Sequence, residues 1–134
     1  MAKRASIDAN GLLRLLLNDI PEQTQAVTDL LDQGLSFEVA DMVIAELVFI
    51  LGGKDYGFNR QEIARAIGRI LDDPSFSCNN QLFYPALSLY VSHPALSFID
   101  CCAVYYAQLN DALPLYTFDR KLINQSGKLA KAIA

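Results

Sequence analysis

The chain has 134 residues, 52% of them hydrophobic, and a net charge of −4, with a pI of about 4.8; this length suits one domain with a substantial core. The acidity argues against broad electrostatic capture of nucleic acid, and no apolar run reaches the roughly 18 residues that a membrane span needs. Cys78, Cys101 and Cys102 are too few for a disulfide framework, and the start breaks into Asp8 too early for a signal peptide, so a reducing, cytoplasmic setting is expected.

Taken in order, Ala5 to Asp8 reads as the end of a first strand and Leu12 to Leu17 as a short apolar helix. Pro21 opens a second helix to about Gln33, with Val27, Leu30 and Leu31 at core-stripe spacing and Gly34 as its stop. Leu35 to Ala40 alternates as a strand does. Asp41 can cap a helix from Met42 to about Leu51, and another runs from Arg60 to Leu71 with Ile63, Ile67 and Ile70 inward. Ser75 to Cys78 reads as a short strand, and Gln81 to Val91 and Ser97 to Asn110 as helices. Leu113 to Phe118 is a strand, Asp119 to Ile123 a helix start, and Gly127 to Ala134 a small-residue tail. Strands alternating with helices, without hairpin signals, predict an α/β fold with a parallel sheet over a single domain, residues 1–134.

Four acids stand out. Asp8 and Asp119 follow predicted strands, and Asp100 lies three residues after Ser97; each of the three suits helix capping as well as a functional role. Glu46 differs, being the lone charge in Met42-Val-Ile-Ala-Glu-Leu-Val-Phe-Ile-Leu51. Such a charge is seldom buried without a partner, and the alternative is a helix with one narrow solvent edge. Loops at the carboxyl ends of parallel strands converge on one crevice, so all four acids can reach one site. Clustered carboxylates repel unless neutralised, which fits a hard divalent cation with oxygen ligands, Mg2+ or Mn2+. Zinc is disfavoured because the single histidine, His93, has no cysteine pair near it. Arg14, Arg120 and Lys121 lie near these acids and are candidate RNA-binding residues, and Arg65 and Arg69 share a helix face; for all five, solvated surface or local ion pairing is the favoured reading.

Four segments carry a resemblance: Ile7-Asp-Ala-Asn-Gly-Leu-Leu-Arg-Leu-Leu16, Ala45-Glu-Leu-Val-Phe-Ile-Leu51, Phe98-Ile-Asp-Cys-Cys-Ala-Val-Tyr-Tyr-Ala107 and Tyr116-Thr-Phe-Asp-Arg-Lys-Leu122. In this order they resemble the motifs of PIN-domain ribonucleases, particularly VapC-type toxins of toxin–antitoxin pairs. The resemblance implies a three-layer α/β/α sandwich and Mg2+- or Mn2+-dependent RNA cleavage. It implies Asp8, Glu46, Asp100 and Asp119 as catalytic metal ligands, with Asn10 and Thr117 as supporting polar neighbours. It further implies a homodimer and a small antitoxin partner. The chain departs from the pattern in its low pI and in ending soon after the last helix, where a closing strand is expected to be short or absent.

In such a mechanism metal activates a water for attack on phosphorus, and a carboxylate takes its proton. Two rivals remain: a metal-dependent phosphatase of another α/β family, against which Asn10 breaks an Asp-x-Asp pattern, and a non-catalytic RNA-binding or interaction module on the same scaffold.

Overall fold

Strands and helices alternate as the hydrophobic pattern predicts, and every strand pairing in the computed structural model is parallel. The described residues are 3–134; Met1 and Ala2, part of the amino-terminal stretch read above for a signal peptide, lie outside them. Seven helices and five short strands occur among the described residues, divided between a unit that runs to Asn79 and a unit from Asn80 to Ala134. No helix among the described residues is long and apolar enough to cross a membrane.

The first unit contains β1 (Lys3–Ser6), α1 (Ala9–Leu17), α2 (Pro21–Asp32), β2 (Leu35–Glu38), α3 (Asp41–Gly52), α4 (Arg60–Asp72) and β3 (Phe76–Ser77). β2 is central, with Ser6 opposite Glu38 and Phe37 opposite Phe76. The Phe37 and Phe76 rings stack at 6.0 Å, and an Arg4–Glu38 ion pair joins β1 to β2 at the surface. Gly34 turns the chain from α2 into β2 at φ 89°, a conformation that costs glycine no Cβ clash. α4 begins with a capping box: Asn59 accepts from the Glu62 N–H at 2.8 Å, and Glu62 accepts from the Asn59 N–H at 3.0 Å. As the spacing predicts, Ile63, Ile67 and Ile70 are buried, and α4 packs against α3, whose Ile44, Leu47 and Leu51 are also buried. Each such side chain contributes roughly 1.5–3 kcal/mol when fully buried.

α2 departs from its expected role. None of its residues is buried; Val27 and Leu31 are half-buried and Leu30 is 40% exposed. Its apolar stripe is therefore not part of the core. The periodicity marked the face correctly, but its neighbours α1 and β2 leave it only partly covered.

The second unit contains α5 (Asn80–Ser92), α6 (Phe98–Leu109), β4 (Leu115–Thr117), α7 (Arg120–Gln125) and β5 (Ala130–Ala132). Phe83 stacks on Phe98 at 6.1 Å and Tyr90 meets Phe98 edge-on at 5.6 Å, which locks α5 against α6. The expected small-residue tail is instead a strand: Leu115 pairs with Ala130 and Thr117 with Ala132. The closing strand is present, and it is three residues long. Alanine and lysine give it little strand signal, so its formation rests on backbone pairing with β4.

Candidate functional site

Asp8 leaves β1 in an extended conformation and caps α1, its Oδ1 accepting the Gly11 N–H at 2.9 Å. Position 11 is closely constrained, since a Cβ there would stand 2.7 Å from Cγ1 of Ile7. The cap engages one carboxylate oxygen, and Asp8 is exposed. Asn10 is exposed in the first turn. Arg14 is drawn inward: its guanidinium pairs with Asp19 at 2.7 Å and lies 3.5 Å from the Tyr56 hydroxyl, with only 12% of the side chain exposed. Its pKa is raised by Tyr56, then by the Asp19 charge, against the opposing effect of burial. It ties α1 to Asp19 in the loop that follows and to Tyr56 in the connection between α3 and α4, rather than standing free in solvent.

Glu46 corrects the expectation of a buried charge. It is exposed, on a face of α3 where Met42 and Phe49 are each 81% exposed. The run is apolar in sequence, but only Ile44, Leu47, Val48 and Leu51 enter the core. Glu46 therefore needs no buried partner, and the solvent-edge alternative describes it.

In the second unit Ser97 caps α6, its hydroxyl accepting the Asp100 N–H at 3.1 Å, and Asp100 is half-buried in the first turn. Asp119 caps α7, its Oδ1 accepting from the Lys121 N–H at 2.9 Å and the Leu122 N–H at 3.3 Å. The Asp119 N–H in turn donates to Thr117 Oγ1 at 3.0 Å, so Thr117 and Asp119 share one tight strand-to-helix junction. Arg120 and Lys121 are exposed at its start. Asp8 and Asp119 thus do the capping work that their positions allow, without using up their acceptor capacity, whereas at α6 the cap is Ser97 and Asp100 contributes only its backbone N–H.

Carboxylate oxygens suit Mg2+ or Mn2+ chemically. Asp8 and Glu46 belong to the first unit and Asp100 and Asp119 to the second; among the described residues no group of three or more His, Cys, Asp or Glu that could hold an ion is found. No catalytic step is therefore assigned to a bound metal.

Sequence reasoning expected a crevice at the carboxyl ends of the parallel strands but did not single out Glu38, Asp41, Cys78 or Asn79 as lining it. A cavity of about 900 Å³ opens at the carboxyl ends of all three strands, lined by Asp8 after β1, Glu38 and Asp41 around the end of β2, and Cys78 and Asn79 after β3. Asp41 does not cap α3; it lies within the first turn, and its Oδ2 accepts from Asn79 Nδ2 at 3.3 Å. Burial, followed by the charges of Glu38 and Asp41, pushes the Cys78 thiol up to about 11. The available signal was positional, since each lining group sits at a strand end, where open α/β sheets bind ligands. No protein-family model and no curated protein matches this chain, so the chemistry of these residues stands on their placement alone.

Proposed function

We propose that the protein is an Mg2+- or Mn2+-dependent endoribonuclease of PIN type, acting in the cytoplasm as the toxin of a toxin–antitoxin pair. The observation that carries the reading is positional: Asp8 and Asp119 each cap the helix directly after a parallel strand, and Asp100 lies in the first turn of α6. Together with Glu46 they are the acids that resemble the PIN motifs. The finer architecture that goes with this reading is a three-layer α/β/α sandwich. Within it, Asn10 and Thr117 would orient ligands, and Arg120 and Lys121 would meet the RNA backbone, with Arg14 contributing less because Asp19 occupies it. The exposed Met42 and Phe49 of α3 support apolar contact with an antitoxin or a second copy of the chain. α4, whose isoleucines are buried, offers no comparable surface.

The test is cleavage of a panel of structured RNAs with added Mg2+ or Mn2+, against chelator. Asp8→Asn and Asp100→Asn are each expected to lower the rate on the order of 100-fold, as when a dedicated electrostatic partner is lost. Unchanged rates in both variants would sink the site. A second reading is a non-catalytic RNA-binding or interaction module, for which the exposed Met42 and Phe49 of α3 would be a contact surface. RNA binding without any cut across the metal titration would decide for the module.

A further inference from the structure

The cavity at the strand ends of the first unit shares Asp8 with the nuclease reading, which leaves the rest of its lining unused. Its walls include aliphatic side chains, among them Val27 and Leu30 of α2 and Val43 of α3. Those of α2 belong to the stripe that is only partly covered. Three carboxylates, Asp8, Glu38 and Asp41, line the same space. Neither Lys nor Arg lines it, although Arg4 pairs with Glu38 through Oε1. At about 900 Å³ it falls in the size range of small-molecule sites, and it stands where three parallel strands end together.

We infer that this cavity binds a small linear aliphatic cation carrying a guanidinium or ammonium head, its hydrocarbon stem against Val27, Leu30 and Val43 and its head between Glu38 and Asp41. The apolar wall selects for a methylene chain, and the carboxylates select for donors and positive charge. The same carboxylates repel phosphate and carboxylate ligands, which excludes nucleotides as occupants of this space without added metal. Asp41 has acceptor capacity beyond its bond from Asn79, and Glu38 beyond its pair with Arg4. Cys78 lines the same space, and its thiol is pushed up by burial first and then by the charges of Glu38 and Asp41. The negative field of these two side chains therefore reaches into the cavity. This inference does not depend on the nuclease reading.

The test is calorimetric titration of the whole chain with agmatine, without divalent metal, beside 4-guanidinobutyrate, which keeps the guanidinium and a similar stem but carries a carboxylate in place of agmatine's ammonium. Saturable one-to-one binding of agmatine is expected with a dissociation constant of roughly 0.1–1 mM, the range open to so few heavy atoms. 4-Guanidinobutyrate is expected to bind at least about tenfold more weakly, and Asp41→Asn and Glu38→Gln to weaken agmatine by about tenfold each. Asp41→Asn keeps an acceptor for Asn79, and an unchanged melting temperature establishes that the variant is folded. Equal binding of both probes, absence of agmatine binding in the folded protein, or unchanged affinity in both variants overturns the inference. Because no metal or RNA is present, each of these results is distinct from a failure of RNA cleavage.

Discussion

Asp8 shows how one side chain serves two purposes that substitution can separate. Its Oδ1 satisfies the Gly11 N–H at the start of α1, so Asp8→Ala is expected to cost about 1 kcal/mol in denaturant unfolding. Asp8→Asn retains a capping oxygen and should stay within a few tenths of a kcal/mol of the parent. If asparagine also abolishes cleavage, the charge is what the chemistry needs; if asparagine destabilises as alanine does, the cap geometry described for Asp8 is wrong. Cys78 makes a second residue-scale case, in which burial and two carboxylates disfavour the thiolate. Alkylation of Cys78, followed by peptide mass, should therefore titrate near pH 11, with Asp41→Asn moving its midpoint down. The folded thiol holds its proton to higher pH than the unfolded one. Stability should therefore fall as pH rises from the ordinary thiol range through about 11, and this component should vanish in Cys78→Ala. At neutral pH both states keep the proton and no effect is expected.

At the scale of elements, α3 and α4 illustrate what an apolar pattern leaves undecided. Both are rich in aliphatics, and α4 buries its whole stripe, packing against both α3 and β3. α3 is apolar nearly all round, and packing in the first unit uses only one side of it, leaving Met42, Glu46 and Phe49 outside. Ile67→Ala should therefore cost about 2–5 kcal/mol, the range for emptying a core position. Phe49→Ser should leave monomer stability within about 0.5 kcal/mol while reducing self-association, read by sedimentation. A core-sized loss of stability at Phe49 would mean that this face is packed and not presented to a partner. The contrast also explains why Glu46 looked more constrained in sequence than it is: its neighbours along the chain are apolar, but those beside it on the helix surface are themselves exposed.

At the scale of the molecule, two short parallel sheets organise two units, and each closes by a pairing distant in sequence. β5 is the clearer case, because its residues have weak strand preference and are held by bonds such as Leu115 N–H to Leu129 O at 2.8 Å and Ile133 N–H to Thr117 O at 3.0 Å. Truncation after Gly127 should remove these bonds and increase amide exchange in Leu115–Thr117 by about tenfold or more, since a lone strand has no ladder to protect it. Unchanged exchange would show that β4 holds its conformation without β5. The sequence by itself determined the alternation of strands and helices, their parallel pairing, the inward face of α4 and the capping positions of Asp8, Ser97 and Asp119. These follow from local periodicity and short-range hydrogen bonding, which a reader of the chain can trace. Only the tertiary structure decided that the α2 stripe borders a cavity, that Glu46 meets solvent, that Arg14 is tied to Asp19, that the tail becomes β5, and that Glu38, Asp41 and Cys78 share a space with Asp8. Each depends on which surface covers another, and an apolar or charged pattern along one segment carries no record of its neighbour.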